Sequence, residues 1–420
     1  SDLGNINSTM TKLAIHGGNP IRRKPFPEWP RPTSELKDAI IATLENEGWG
    51  VGSSAISRFE EKFAEFHDAK YCISTSSGTT ALWVLLKAAG VKAGDEVIVP
   101  PYTFIATASA VLMANAVPVF VDIDPNTFNI DANLIEAAVT EKTKAIMPVH
   151  ISGNPANMDA ILAIGKKHGI HIIEDAAQAH GAEWDSTKVG ALGLGGIFSF
   201  QTSKNMSAGE GGAIVTNDQA FAEKCFSYHN CGRVTGGDWY EHSHLGGNFR
   251  LGAFQASMLL PQLDTLPEDI ILRNKNKSKL DKVLNDIEGI TPQKMLEKST
   301  NSANHLILSR YDKTAFNGIP RETFFKAMQA EGIYTYQGYA PLYRERLFIT
   351  NEGEYPWLKG YNYLELKLPE TERLADEESI WLRQNHLLGN VDDIMDVANA
   401  FSKVTEEMRK NPDPFLTYNT

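Results

Sequence analysis

The segment FSFQTSKNMSAGEGGAIVTND (residues 198–218) joins two apolar runs through a polar, glycine-rich stretch. The two runs, GIFSFQ (196–201) and GAIVTN (212–217), have the length and the β-branched or aromatic content of strands. Lys204 follows the first run, and the flexible turn GEGG (209–212) precedes the second. A lysine between a buried strand and such a turn is predicted to point into a cleft, with an ordinary solvated side chain as the alternative.

Similar apolar runs recur upstream of this segment. They are YCISTS (71–76), DEVIVPP (95–101), VPVFVDI (117–123), KAIMPVH (144–150) and IHIIEDA (170–176). Segments with helical spacing lie between several of them: TTALWVLLKAAG (79–90), TFIATASAVLMANA (103–116) and MDAILAIGKKHG (158–169). Strands that alternate with helices predict crossover connections and a mainly parallel sheet covered on both faces. The fold class is therefore α/β, with a three-layer α/β/α domain.

The length of 420 residues predicts more than one domain. We expect an N-terminal arm over residues 1–32, a large domain over 33–265 and a smaller α+β domain over 266–420. The C-terminal pattern consists of a charged helical stretch from Pro267, strands near HLILSRY (305–311), and helices near RETFFKAMQAEG (321–332) and VDDIMDVANAFSKVTEEMRK (391–410). The change of pattern after about residue 265 is the basis for the boundary.

The composition excludes several classes of protein. The net charge of -12 lacks the basic footprint that nucleic-acid binding requires. Cys72, Cys225 and Cys231 are odd in number and have no C-x-x-C spacing, so we expect no disulfide framework, no zinc site and a cytoplasmic setting. The pair His242 and His244 lacks an evident third ligand, so we expect no metal there.

One uncharged segment, Val97–Val121, is long enough to cross a bilayer. Pro100, Pro101 and Pro118 interrupt it, so we predict a strand, turn, helix and strand buried in protein. The first ten residues lack a basic start and an apolar stretch, so no signal peptide is expected.

Polar residues follow the ends of the predicted strands, where ligands of open α/β sheets bind. Ser77, Gly78 and Thr79 lead from the first strand into a helix, where backbone N–H groups attract an anion, although an ordinary helix cap is the favoured interpretation of these residues taken alone. Asp175 stands near the end of the fifth run with Gln178 three residues on, and taken alone Asp175 is again better explained as a helix cap.

Together these features indicate a site for pyridoxal phosphate (PLP). Its phosphate needs N–H donors, its pyridine nitrogen needs a carboxylate, and its aldehyde needs a lysine for a Schiff base. Its ring needs an apolar or aromatic face, which Tyr102 and Phe104 offer.

Five segments resemble one known family. They are TSSGTTAL (75–82), PPYTFIATASA (100–110), EDAAQAHGA (174–182), the segment 198–218 and GGNFRLGAFQASM (246–258). These are similar to the DegT/DnrJ/EryC1/StrS aminotransferases, which make amino sugars and aminocyclitols, and the resemblance extends from about residue 13 to 405. The resemblance implies PLP fold type I, the aspartate aminotransferase-like architecture.

The resemblance also implies a role for individual residues. Lys204 would hold the cofactor aldehyde and then move the proton, and Asp175 would pair with the pyridine nitrogen. Phe104 would stack on the ring. The remaining implied cofactor contacts are Ser77, Gly78, Thr79 and Ser199 at the phosphate, Gln178 at the phenolic oxygen, and Asn248, which would reach the phosphate from a neighbouring subunit. The implied assembly is a homodimer with shared active sites.

Two features resemble one branch of the family. The start LAIHGGNPIRRKPFPEWP (13–30) and Gln201 are similar to glutamine:scyllo-inosose aminotransferases and 3-amino-5-hydroxybenzoate synthases. Tyr343 stands where nucleotide-sugar enzymes tend to have a histidine. The candidate substrate contacts are Tyr102, His150, Gln201, Arg250, Tyr343 and His386. For His150, Arg250 and His386, a purely structural polar role is an equal alternative.

Three functions are compatible with these residues. The first is a transaminase that moves an amino group from glutamine or glutamate to a keto-sugar or keto-cyclitol. The second is a dehydratase or lyase of the 3-amino-5-hydroxybenzoate synthase type. The third is a non-catalytic PLP-binding or regulatory subunit, against which the presence of both Lys204 and Asp175 argues.

Overall fold

The structure, a computed structural model, describes residues 12–46, 48–349 and 353–416. The strands are β1 (Tyr71–Thr75), β2 (Glu96–Val99), β3 (Val117–Phe120), β4 (Thr143–Ile146), β5 (His171–Asp175), β6 (Glu183–Trp184), β7 (Thr187–Lys188), β8 (Gly195–Ser199), β9 (Gly212–Thr216), β10 (Ile290–Pro292), β11 (Ser299–Asn301), β12 (Leu306–Tyr311) and β13 (Ser379–Arg383). The α-helices are α1 (Ser34–Asn46), α2 (Ser54–Phe66), α3 (Gly78–Ala88), α4 (Ala106–Met113), α5 (Ala132–Ile135), α6 (Met158–His168), α7 (Gln219–His229), α8 (Ala253–Asn285), α9 (Arg321–Ala330), α10 (Pro369–Arg373), α11 (Val391–Lys410) and α12 (Asp413–Leu416). The expectation of no signal peptide concerns residues that lie outside this description.

The largest sheet has seven strands in the order β1-β9-β8-β5-β4-β2-β3. The strands from β8 to β3 pair in parallel, whereas β9 is antiparallel to both of its neighbours. Each of the seven apolar runs predicted from the sequence overlaps a strand of this sheet. The predicted mainly parallel α/β fold is therefore confirmed.

The sheet is buried on both faces, which explains its continuous apolar runs. In β2, Val97 and Val99 enter a core formed with α3, α4 and α7, while Ile98 enters a core formed with α2, α6 and α8. In β5, Ile173 and Ile172 divide between the same two cores. This alternation produces three layers with the sheet in the middle.

The C-terminal part has its own core around the antiparallel sheet β10-β12-β13 and the helices α9 and α11. The N-terminal arm joins it: Leu13 is part of this core, and the Arg22 guanidinium pairs with Asp393 at 2.9 Å and with Asp396 at 2.8 Å. The small domain is therefore stabilised by residues from both ends of the chain.

Helix α8 crosses the predicted boundary between residues 265 and 266. It begins at Ala253 and not at the predicted Pro267, because its apolar residues pack against both domains and outweigh the backbone hydrogen bonds that its internal prolines remove. Ile270 belongs to the large-domain core, and Leu280 and Leu284 belong to the small-domain core. The domain limits stay a prediction, since the two units share one continuous helix.

Among the described residues, no helix combines the length and the apolar character needed to span a bilayer. The uncharged segment Val97–Val121 consists of β2, a turn, α4 and β3, the order predicted for a buried segment. Cys72, Cys225 and Cys231 are free thiols. The cytoplasmic setting stays a prediction.

Candidate active site

A cavity of about 970 Å³ lies between the carboxyl ends of the large-sheet strands and the small domain. Its lining includes eight of the residues that the sequence assigns to a cofactor: Ser77, Gly78, Thr79, Phe104, Asp175, Gln178, Ser199 and Lys204. The crossover topology brings these residues together, because each lies at the end of a strand or in the segment after it, and these strands end at the same edge of the sheet.

The start of α3 forms an anion cradle. The Ser77 side chain accepts a hydrogen bond from the Thr80 N–H at 3.1 Å, so Ser77 is a helix cap as well as a lining residue. Gly78 and Thr79 occupy the first turn, where N–H groups have no intrahelical acceptor and carry positive potential. A Cβ atom at Gly78 would approach the Ser199 Cβ to 2.9 Å, so only glycine allows α3 to lie this close to the end of β8.

Asp175 is a buried carboxylate at the end of β5. One carboxylate oxygen accepts a hydrogen bond from the Thr107 hydroxyl at 2.7 Å, and the other accepts one from the Ala177 N–H at 3.2 Å. Burial raises the pKa of Asp175 above its ordinary value, against the opposing effect of these hydrogen bonds and of Lys204. A carboxylate held in this way favours a cationic partner inside the cavity.

Lys204 lies in the loop that joins β8 to β9. Within the described residues, its amine makes no hydrogen bond or ion pair, whereas its backbone oxygen accepts a hydrogen bond from the Trp29 indole N–H at 2.9 Å. Burial lowers the pKa of Lys204 to about 8, although the charge of Asp175 opposes this effect. Desolvation therefore raises the neutral fraction of this amine near neutral pH far above that of a solvated lysine, and the neutral amine is the nucleophilic form.

The Gln178 amide is held at both ends. Its oxygen accepts a hydrogen bond from the Ser152 N–H at 2.7 Å, and its NH₂ group donates to the Tyr339 hydroxyl at 3.0 Å. An amide nitrogen has two hydrogens, so one N–H remains for a ligand in the cavity.

The model of the DegT/DnrJ/EryC1/StrS aminotransferase family matches residues 31–401 of this chain. The chain belongs to this family. The aminotransferase is 37% identical over 415 residues to an L-glutamine:2-deoxy-scyllo-inosose aminotransferase of Streptomyces lividus, covering 93% of this chain and 97% of that protein. It is 36% identical over 419 residues to the protein of the same name from Micromonospora echinospora, covering 96% and 99% of the two chains.

The fold is also that of solved structures. The crystal structure of 3-amino-5-hydroxybenzoic acid synthase superposes with a TM-score of 0.83 at 32% identity, covering 92% of this chain and 100% of that one. The predicted family and fold type are confirmed by these similarities.

The aminotransferase cavity also includes residues that the sequence did not single out. They are Trp29, His305, Tyr336, Tyr339, Trp381 and Arg383. We call four of them, Tyr336, Tyr339, Trp381 and Arg383, the small-domain wall. One signal for this wall exists in SIWLR (379–383), where residues alternate along a strand, but it does not reveal which face meets the cavity.

Tyr102 and Phe104 have different positions. Phe104 lines the cavity and is 55% exposed, so its ring is available to a ligand. Tyr102 is fully buried behind the wall, and its hydroxyl contacts the Ser379 hydroxyl at 2.8 Å and accepts a hydrogen bond from the Trp381 indole at 2.9 Å. Burial raises the pKa of Tyr102 to about 12. Tyr102 therefore supports the residues that line the cavity and does not line it itself, and its substrate contact stays a prediction.

Three other candidate substrate residues lie outside the cavity lining and have protein partners. The His150 ring contacts the Glu174 carboxylate at 3.0 Å and the Ala156 N–H at 3.0 Å. The Tyr343 hydroxyl donates to Glu372 at 2.6 Å, and its ring packs in the large-domain core.

His386 is buried by the N-terminal arm. Its Nδ1 contacts the Arg383 carbonyl oxygen at 2.8 Å, and its ring packs 4.2 Å from the Phe26 ring centroid. Protein partners hold the two ring nitrogens of His150, the Tyr343 hydroxyl and Nδ1 of His386, which favours the structural alternative; their substrate contacts stay a prediction.

Gln201 lines the cavity, although its amide oxygen accepts hydrogen bonds from the Ser203 N–H and hydroxyl. Arg250 and Asn248 lie outside the cavity of their own chain. The Arg250 guanidinium donates to the Asn230 side-chain oxygen at 3.0 Å, whereas Asn248 is exposed on the loop before α8.

Among the described residues, no group of three or more His, Cys, Asp or Glu side chains is placed to hold a metal ion. His242 and His244 have separate partners: the first contacts the Cys231 carbonyl oxygen at 2.7 Å, and the second contacts the Ser227 hydroxyl at 2.8 Å.

Proposed function

We propose that the cavity binds PLP and that the enzyme transfers an amino group from glutamine or glutamate to a keto-cyclitol. Three observations support the cofactor. The cradle at the start of α3 combines first-turn N–H groups, which have no intrahelical acceptor, with the Ser199 side chain, which a Cβ at Gly78 would approach to 2.9 Å. Asp175 is a buried carboxylate suited to a protonated ring nitrogen, and Lys204 is a buried amine without a partner among the described residues.

When bound, PLP supplies an aldehyde that takes up the amino group and a ring that withdraws electrons from the reacting carbon. Lys204 Nζ would hold the cofactor through its aldehyde, and the same amine would serve as the base for the proton on the donor α-carbon. The Asp175 carboxylate would keep the ring nitrogen protonated. Gln178, fixed by Ser152 and Tyr339, would offer its remaining N–H to the phenolic oxygen.

The substrates are proposed from the relatives. Both proteins named above are called L-glutamine:2-deoxy-scyllo-inosose aminotransferases, and the similarity covers nearly the whole of each chain. The observation that carries the proposal is the Lys204 amine, which has no partner among the described residues and shares the cavity with Asp175, because a non-catalytic subunit does not need a desolvated nucleophile. A keto-sugar is the alternative acceptor, and the experiment that follows distinguishes it from a keto-cyclitol.

The test follows the two half-reactions separately. The PLP-loaded enzyme is mixed with L-glutamine or L-glutamate alone, and we expect the yellow absorbance to disappear. The resulting amino form is then mixed with 2-deoxy-scyllo-inosose, other keto-cyclitols and keto-sugars, and we expect a keto-cyclitol to restore the absorbance fastest. Unchanged absorbance with both amino donors would contradict a transaminase and favour a dehydratase of the synthase type.

We propose that the active unit is a homodimer in which Asn248 reaches the phosphate of the partner's site. The exposure of Asn248 on a glycine-containing loop supports this arrangement. Inactive Lys204→Ala and inactive Asn248→Asp subunits should then complement each other after subunit exchange, since one of the two mixed sites is intact. Exchange without any recovered activity would contradict the shared site.

A further inference from the structure

One corner of the cavity lies where strands β12 and β13 stop pairing. Leu306 pairs with Arg383 at the end of this antiparallel ladder, so His305 and Gln384 are the next two residues on the facing chains. Both line the cavity, and both are buried, with 5% and 3% of their surfaces exposed. We call these two side chains the His305–Gln384 corner.

The His305 ring is fixed through one nitrogen, and the other nitrogen is free. Asn205, the residue after Lys204, donates from its amide nitrogen to the Ala303 oxygen at 2.8 Å, so its amide oxygen is the atom that contacts His305 Nδ1 at 3.0 Å. Because an amide oxygen only accepts, Nδ1 carries the ring proton and Nε2 carries a lone pair. Burial, followed by the charge of Lys204, holds the pKa of His305 well below its ordinary value, so the ring stays neutral. Within the described residues, Nε2 has no hydrogen-bond partner.

The Gln384 amide has the opposite character. Its oxygen accepts two hydrogen bonds from the Arg273 guanidinium, at 2.8 and 3.1 Å. A guanidinium only donates, so the amide oxygen, and not the nitrogen, has to face Arg273. The NH₂ group makes no hydrogen bond in the described part of the chain, so it remains available as a donor. The corner therefore offers one neutral acceptor and one neutral donor.

The other buried polar side chains of the cavity lining are engaged or assigned to the cofactor. The Thr103 and Thr107 hydroxyls contact each other at 3.1 Å, and Thr107 also donates to Asp175. The proposed cofactor engages Asp175, Gln178 and Ser199. The His305–Gln384 corner is what remains for a substrate.

The corner selects by hydrogen-bonding character. A carboxylate has only acceptor atoms, so the lone pair of His305 Nε2 opposes it. A side-chain amide or a hydroxyl, by contrast, donates to Nε2 and accepts from the Gln384 NH₂ group. We propose that the corner binds a neutral substrate group that both donates and accepts hydrogen bonds, and that it excludes a carboxylate from the same place.

Two substrate groups have this chemistry. One is the side-chain amide of glutamine, which glutamate lacks, and the other is a hydroxyl of the cyclitol. The inference rests on the proposed function and identifies the residues that recognise an uncharged part of a substrate. Binding measurements distinguish the two sources.

Binding to the PLP-loaded enzyme is measured by isothermal titration calorimetry with three ligands that have neither an α-amino group nor a ketone. They are glutaramate, which is glutamine without its α-amino group, glutarate, which is glutamate without it, and scyllo-inositol. If the amide is the source, the wild type should bind glutaramate at least about tenfold more tightly than glutarate, and His305→Phe should bring this ratio close to about one. If a hydroxyl is the source, His305→Phe should weaken scyllo-inositol binding at least about tenfold.

A second variant, Gln384→Glu, keeps an acceptor for Arg273 and replaces the NH₂ donor by an acceptor. It should weaken the same ligand as His305→Phe. The matched control is His171→Phe, at an exposed position on the opposite end of β5 from Asp175 and outside the cavity lining, which should leave all three affinities unchanged.

Three results would overturn the inference: equal losses for all three ligands in His305→Phe, unchanged affinities in both variants, or a wild type that binds neither glutaramate nor scyllo-inositol. The half-reactions keep the proposed function separate. Selective losses at the corner, in an enzyme that neither glutamine nor glutamate bleaches, would contradict the proposed function and leave the inference in place.

Discussion

Two sides of the cavity come from different kinds of structure. The floor, formed by Gly78, Asp175, Ser199 and Lys204, comes from the ends of neighbouring sheet strands and the loops that follow them. The small-domain wall comes from a loop and an antiparallel strand more than 100 residues further along the chain. The floor holds the groups that the proposed cofactor would need in both half-reactions, whereas the wall adds aromatic rings and a guanidinium on the other side of the cavity.

The largest expected effect is at the floor. Replacing Lys204 by Ala should abolish the yellow absorbance and both half-reactions, because no other lysine lines the cavity among the described residues. Absorbance spectra and peptide mapping after borohydride reduction provide the measurement. If borohydride reduction labels a different lysine in the wild type, the cofactor does not bind at the floor.

Asp175→Asn should also affect both half-reactions, but less severely. The neutral amide keeps the shape of the site and most cofactor binding, whereas the ring loses the charge that keeps its nitrogen protonated. We expect both rates to fall on the order of 100- to 1,000-fold. Asp264→Asn, at an exposed position on α8, is the matched control. Near-normal turnover would leave Asp175 as a structural hydrogen-bond acceptor only.

The pKa of Lys204 gives a pH-dependent prediction. Only the neutral amine attacks an aldehyde, and burial lowers the Lys204 pKa to about 8. PLP capture by the apoenzyme should therefore rise about tenfold per pH unit below pH 8 and level off above it, as measured by stopped-flow absorbance. A rate that keeps rising to pH 10 would mean that the amine is solvated before the cofactor arrives.

The smallest effect is expected at the wall. Tyr339→Phe removes the hydroxyl that accepts from the Gln178 amide at 3.0 Å, so the amide is then held only through its oxygen, by the Ser152 N–H. Rates should fall about two- to tenfold, the value of one neutral hydrogen bond, and the pH at which the bound cofactor changes colour should shift. Tyr334→Phe, on an exposed tyrosine remote from the cavity lining, is the control. If the pH of the colour change does not shift, Tyr339 does not act on the cofactor through the Gln178 amide.

The sequence predicts the floor because its signals are local. Around Lys204, about twenty residues contain a strand, the residue after it and a glycine-rich turn. The parallel topology then brings the ends of the other strands to the same edge of the sheet. The wall gives no such signal, since Arg383 meets the cavity only after Tyr336 pairs with Trp381. The sequence does not reveal that Tyr343 is buried, because the partner that holds its hydroxyl, Glu372, lies 29 residues away.

Helix α8 has a mechanical consequence for the whole molecule. Its 33 residues form a rod about 50 Å long that is embedded in the large-domain core at one end and in the small-domain core at the other. The small-domain wall therefore does not move on a flexible linker, and any opening of the cavity requires helix α8 to bend. Proline has no backbone N–H, so helix α8 lacks hydrogen bonds at Pro261 and Pro267. The stretch around these two residues is therefore the part of the helix that bends most easily.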